Sequence, residues 1–303
     1  MSLTIEQSCR VKMKLSIVVI THNMRREAAR TLYSLSAKHQ IGVETDDYEV
    51  IVIDNASSAP LGHDFVKQFG PQFRYHFHET SSVSPVAAVN LGAQLARGDV
   101  LAIIVDGARM ATPGIICRTL QALRAEPDAL VCALSWHLGP DVQPRSTQNG
   151  YDQAVEDALL ETSGWREDGY QLFAISTLAP SSGTGFFGDF PLECSWVAVR
   201  RDRFLAMGGF DPAFQTAGGG FCNHDFRNRA LQEPGIVPVK LLGEGVFHQV
   251  HGGIATNAPP AQRPLKAFHD EYTQIHGVRF APVPVPDPIY VGVMPDVAKR
   301  FLA

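Results

Sequence analysis

Three short stretches of this chain are apolar at almost every position: Leu15–Thr21 (LSIVVIT), Glu49–Ile53 (EVIVI) and Val100–Val105 (VLAIIV). A strand with one wet face alternates apolar and polar residues. A run without alternation is covered on both faces, as in a parallel sheet between two layers of helices. The segments between fit that arrangement. Ala28, Leu32 and Leu35 share one helical face within Arg25–His39, and Leu61, Phe65 and Phe69 recur at helical spacing. Phe73–Phe77 reads as a strand. Ser84-Pro85 and Thr112-Pro113 each suit the start of a helix, the first reaching about Arg97. Ala129–Ser135 is a further strand. The order βαβαβαβαβ with short links predicts an α/β fold with a Rossmann-like, mostly parallel sheet flanked by helices.

The second half is less regular. It predicts helices around Asp152–Leu160, Arg201–Met207 and Phe221–Leu231, and strands at Trp196–Arg200 and Ile236–Leu242. The proline-rich stretch 281–295 reads as extended chain. No proline- or serine-rich linker divides the 303 residues, so one domain with an irregular second lobe is expected.

Composition removes several functions. Twenty-six basic and 31 acidic residues leave a net charge of −5, against a dedicated nucleic-acid binder. No apolar run reaches the roughly 18 residues that span a bilayer. Met1–Lys14 lacks the apolar core of a secretory signal. The five cysteines (Cys9, Cys117, Cys132, Cys194, Cys222) form no CxxC pair and read as reduced thiols of a cytoplasmic protein. There is no GxxxxGK[ST] loop, and Gly218-Gly219-Gly220 follows no strand, which argues against P-loop enzymes, kinases and nicotinamide dehydrogenases.

In open α/β sheets ligands sit beyond the carboxyl ends of the strands. The polar residues there are Thr21-His22-Asn23, Asp54-Asn55 and Asp106-Gly107. Read alone, Asp54 is either a hydrogen-bond acceptor for a ligand or a turn residue, and Asp106 either a metal ligand or a turn residue. Asp225 is either a helix cap or a general base. His248 and His251 fall on opposite faces if their segment is a strand, and can share an ion if it is a turn.

Four segments in order resemble glycosyltransferase family 2, whose fold is called GT-A. The first strand with Thr21-His22-Asn23 is similar to the family's P-T-Y-N. Residues 49–57 (EVIVIDNAS) are similar to E-I-I-V-V-D-N-G-S. Asn90-Leu91-Gly92 with Ala96-Arg97-Gly98-Asp99 matches N-x-G…A-x-G-D. Met207-Gly208-Gly209-Phe210-Asp211, the glycine loop, His224-Asp225 and Arg229 resemble G-G-F-D…E-D…R. The resemblance implies an inverting transferase that moves a sugar from a nucleoside-diphosphate sugar, most often a UDP-sugar, to an acceptor hydroxyl. It implies nucleotide-sugar contacts from Thr21, Asn23, Asp54, Asn55, Asn90, Asp106 and Arg109. Asp106 and His248 would hold Mn2+ or Mg2+, and Asp225 would be the general base. Residues of about 12–136 would bind the nucleotide sugar, about 137–255 would hold the acceptor and catalytic half, and 256–303 would form an extended tail. Trp136, Trp165, Tyr170, Phe173, Phe186, Phe187 and the stretch Glu193–Trp196 would shape the acceptor pocket, or else pack as core.

The departures are chemical. The family's D-x-D reads Asp106-Gly107-Ala108, so one carboxylate is missing, and His224 stands for the Glu of E-D. Arg109 offers a fixed fork of donors for the diphosphate in partial compensation. The degraded motif also keeps open a nucleotide-sugar binder without catalysis. A sugar nucleotidyltransferase is the weaker alternative, because the turn after the first strand has no glycine.

Overall fold

A computed structural model describes residues 13–193, 195–253 and 264–302. Most of Met1–Lys14, together with Cys9 and Cys194, lies outside the described residues. The first half runs β1 (Leu15–Thr21), α1 (Arg25–Ser34), β2 (Tyr48–Asn55), α2 (His63–Lys67), β3 (Phe73–His78), α3 (Val86–Leu95), β4 (Val100–Ile104), β5 (Arg109–Ala111), α4 (Ile115–Ala125) and β6 (Ala129–Leu138). After it come α5 (Gln143–Ser146), α6 (Gln153–Thr162), β7 (Ser176–Leu178), β8 (Trp196–Arg200), α7 (Arg201–Ala206), α8 (Cys222–Gln232), β9 (Val237–His248), α9 (Leu265–His276) and β10 (Ile289–Gly292).

These strands form one sheet in the order β10-β9-β6-β8-β4-β1-β2-β3, with β5 added on β9 and β7 on β6. The unbroken apolar runs do what their composition requires. Leu15, Ile17 and Val19 of β1 face the layer holding α1 and α4, and Val18 and Ile20 face the layer holding α3, α7 and α8. β2 and β4 divide in the same way. The layers are close. A Cβ on Gly92 of α3 would lie 2.3 Å from a methyl of Val18, so only glycine lets this helix reach the sheet.

Several features differ from the sequence reading. β8 runs antiparallel between β4 and β6. β5 appears where only a turn was expected, because the chain after Asp106 pairs antiparallel with the end of β9. The tail is not simply extended: it contains α9, whose Phe268 and Tyr272 join the core. The aromatics assigned to an acceptor pocket are mostly interior. Trp136, Trp165, Phe173 and Phe186 form a separate core cluster under the irregular lobe, and Tyr170 donates its hydroxyl to buried Glu244. Phe187 alone of these is well exposed.

Candidate active site

The strand order β8-β4-β1-β2 sets a row of polar residues along one edge of the sheet. β1, β2 and β4 are mutually parallel and end there. Antiparallel β8 begins there, which brings Glu193, just before it, beside the residues that follow β4.

At the end of β4 the chain turns tightly. Gly107 N donates to Ile20 O at 2.7 Å, and a Cβ on Gly107 would meet Ile20 O and Thr21 Cγ2 at the same 2.7 Å. Ala108, in the place of the missing carboxylate, is fully buried, and its carbonyl accepts from Gln249 N. A second carboxylate in that position would be buried against β9, whereas the turn directs Asp106 outward. His248 Nε2 lies 2.8 Å from Asp106 Oδ2. β9 ends at His248 and the chain bends, so His251 does not continue on a strand face. Its Nε2 is 3.3 Å from Asp106 Oδ2 and 3.2 Å from His248 Nε2. The turn alternative therefore holds for this pair.

The protons in this cluster can be placed. Gln143 Nε2 donates to His248 O at 2.8 Å, which orients the amide so that its Oε1 faces His248 Nδ1 at 2.5 Å. An amide oxygen only accepts, so Nδ1 carries the proton and Nε2 of neutral His248 is a lone pair. Burial pushes the pKa of His248 down to about 4, against the pull of Asp106. Burial also opposes charge on Asp106 and on His251. Their mutual attraction nevertheless holds the Asp106 carboxyl well below its ordinary range and lifts the His251 imidazole. A carboxylate oxygen and an imidazole nitrogen thus face each other at 2.8 Å, an arrangement that a shared proton or a metal cation satisfies. One carboxylate and two neutral imidazoles suit a divalent metal. A proton on His251 serves when no metal is bound.

Arg109 opens β5 and is 7% exposed, so it is not a solvated surface arginine. Its Nε is 4.0 Å from Asp106 Oδ2, and its Nη1 and Nη2 donate to Ser135 Oγ at 2.8 Å and to Glu193 Oε1 at 3.1 Å. Burial works against charge on Glu193. Arg109, reinforced by His224, His248 and the Ser195 hydroxyl, outweighs it and keeps that carboxyl below its ordinary pKa.

The loops after β1 and β2 are stitched together. Asn23, at φ 51°, accepts at Oδ1 from Ser58 N and Ser58 Oγ, and its own N donates to Ser57 Oγ. Asp54 is fully buried and accepts from Ser57 N, Leu61 N and Tyr75 Oη. Its carboxylate shapes the turn and offers no exposed oxygen, which corrects the expectation of direct ligand contact. Thr21 and Asn55 are also buried, with Thr21 Oγ1 and Asn55 Oδ1 lacking partners. Asn90 does not reach this edge as a free group. It accepts from Phe210 N and donates to Phe210 O, clamping the Gly-Gly-Phe-Asp segment to α3.

Asp225 differs most from expectation. On α8 it is 1% exposed, with Arg229 Nε donating to Oδ2 at 2.7 Å and His276 Nε2 at 2.9 Å from Oδ1. Both oxygens are engaged, Oδ2 by Arg229 within α8 and Oδ1 by His276 of α9. The structure joins Asp106 with His248 and Arg109. It keeps Asp54 in its own turn and Asp225 in a separate cluster with Asp211 and His276.

Comparison with known proteins fits this layout. Solved structures share the fold at low identity. S. aureus TarS aligns at a TM-score of 0.53 and 16% identity, over 78% of this chain and 37% of that one. TarS 1-349 in complex with UDP-GlcNAc aligns at 0.51 and 14%, over 80% and 60%. GalNAc-T7 with UDP, GalNAc and Mn2+ aligns at 0.52 and 16%, over 80% and 45%. The chain thus spans between 37% and 60% of the length of these structures. No curated protein matches it. The model of glycosyl transferase family 2 matches residues 16–179, more than half of the sequence, and the chain belongs to that family.

Proposed function

We propose that this protein transfers a sugar from a nucleoside-diphosphate sugar, with UDP as the nucleotide, to an acceptor hydroxyl, with inversion at the anomeric carbon. The observation that carries this reading is the meeting of Asp106 Oδ2, His248 Nε2 and His251 Nε2, a donor set that can hold a divalent ion, beside the buried Arg109. Support comes from similar structures that hold UDP, UDP-GlcNAc, or UDP with Mn2+.

Asp106, His248 and His251 would hold a divalent ion, Mn2+ or Mg2+. When bound, the ion supplies positive charge to the departing diphosphate. Gln143 fixes the His248 tautomer so that Nε2 is the ligand atom. Arg109 lies alongside with donors suited to phosphate oxygens. Charge placed where the leaving group becomes negative stabilises the transition state more than the ground state. Thr21, Asn23, Asp54 and Asn55 bind the nucleoside through the paired loops they shape. Asn90 contributes indirectly by anchoring residues 209–210.

A thermal-shift series with UDP-GlcNAc and other UDP-sugars, with manganese or with chelator, tests this. Binding at a hundredfold excess over Kd stabilises by about 2.7 kcal/mol. The expected result is a shift with manganese that chelator removes; no shift with any nucleotide sugar would defeat the proposal. One observation favours the second reading, a binder without turnover: Asp225, the residue at the expected base position, is locked. Release of UDP from a bound donor separates the two.

A further inference from the structure

We propose that Glu193 takes the proton from the incoming hydroxyl. This inference rests on the transferase reading above. It answers a need the site leaves open, since a carboxylate must be ionised, reachable and have an unengaged oxygen to act as a base.

Most acids near this end of the sheet fail one of those conditions. Asp106 faces two imidazoles, and Asp54 and Asp225 are buried with their oxygens taken. Glu27 and Glu156 are buried and paired with Arg26, and Asp157 is bound by Arg26 and Arg30. Glu193 meets all three. Its side chain is 30% exposed. Arg109 and Ser195 both donate to Oε1, at 3.1 and 3.2 Å, which leaves Oε2 without a partner among the described residues.

Its position is also suitable. The Arg109 guanidinium lies between Asp106 and Glu193, so Glu193 is one guanidinium away from the metal cluster. A diphosphate held by this guanidinium would therefore have the partly exposed Glu193 carboxylate as its neighbour. The antiparallel entry of β8 produces this placement, because its first residues lie beside the end of β4. In the step itself the acceptor oxygen bonds to the anomeric carbon. The bond from that carbon to the phosphate oxygen breaks and its electron pair leaves on the diphosphate. The hydroxyl proton passes to Glu193 Oε2.

The test uses the full chain with manganese and UDP-GlcNAc, and reads UDP release with water as acceptor. Glu193→Gln keeps an oxygen for Arg109 and Ser195 but cannot accept the proton. The expected result is a fall in kcat of about 100-fold or more, with the donor KM and the manganese-dependent thermal shift unchanged within twofold. Glu193→Asp should recover part of the loss. If Glu193→Gln retains kcat within threefold, the assignment is overturned and the transferase reading stands. Loss of donor binding together with rate would also overturn it, because Glu193 would then only position Arg109. Wild-type protein that neither binds nor cleaves the donor overturns both.

Discussion

His251 Nε2 lies 3.2 Å from His248 Nε2, although the two are three positions apart and β9 ends at the first. The chain bends after the strand, and two imidazoles reach one carboxylate oxygen. His251 would thereby offer a ligand atom in place of the second acid of the family motif. The nitrogen-rich donor set favours Mn2+, Co2+ or Zn2+ over Mg2+. Titration calorimetry should show manganese bound more tightly than magnesium. His251→Ala should weaken manganese by at least about tenfold. Equal manganese affinity in the variant removes His251 from the site.

Arg109 is buried and holds Ser135, Glu193 and the edge of Asp106 at once. Lysine provides one point charge and cannot reproduce that fork. Arg109→Lys should weaken UDP and UDP-sugars several-fold and leave uridine, which lacks phosphates, unaffected. A uniform loss across all three ligands would instead mean that the substitution disturbs the loops.

Asp225 pairs with Arg229 within α8 and reaches α9 through His276. Removing its charge leaves Arg229 and His276, both partly exposed, without their anionic partner, at a cost of about 1 kcal/mol. Asp225→Asn should lower the unfolding free energy by that amount, read as a lower urea midpoint at unchanged m. An unchanged midpoint would mean the pair is not structural and would return Asp225 to candidacy as a base.

Glu244 sits in the interior, accepting from Thr112 Oγ1 and Tyr170 Oη, and burial pushes its carboxyl up to about 7. Its folded value lies above its unfolded value near 4.5. Between these pH values the folded chain keeps a proton that the unfolded chain has released. The contribution is therefore fully present below about pH 4.5 and is lost as pH rises toward 7. Comparing wild type with Glu244→Gln cancels other titrations. Their stability difference should change by about 1 kcal/mol per pH unit between 5 and 7, and parallel pH curves would contradict this.

Gly92 tests the helix–sheet contact. Gly92→Ala places a carbon 2.3 Å from a Val18 methyl, and overpacking of this kind costs about 2 kcal/mol. A variant as stable as wild type would show that α3 moves freely against β1.

The amino-acid sequence by itself determined the layered sheet. The apolar runs at 15–21, 49–53 and 100–105 have no wet face, and residues that need burial on both sides leave few alternatives. It also marked Asp106, because polar residues after such strands fall at the ligand end, whereas the choice of His248 came only from the family resemblance. Only the tertiary structure decided which acids meet. The antiparallel insertion of β8 brings Glu193 beside Arg109, and neither periodicity nor spacing encodes strand order. The bend after His248 chose between opposite faces and one site for the two histidines. The pairing of α8 with α9 engaged Asp225, through a partner 51 residues further along the chain that local pattern could not supply. Local sequence fixes what each segment must bury; the side chains that finally touch depend on how distant segments pack.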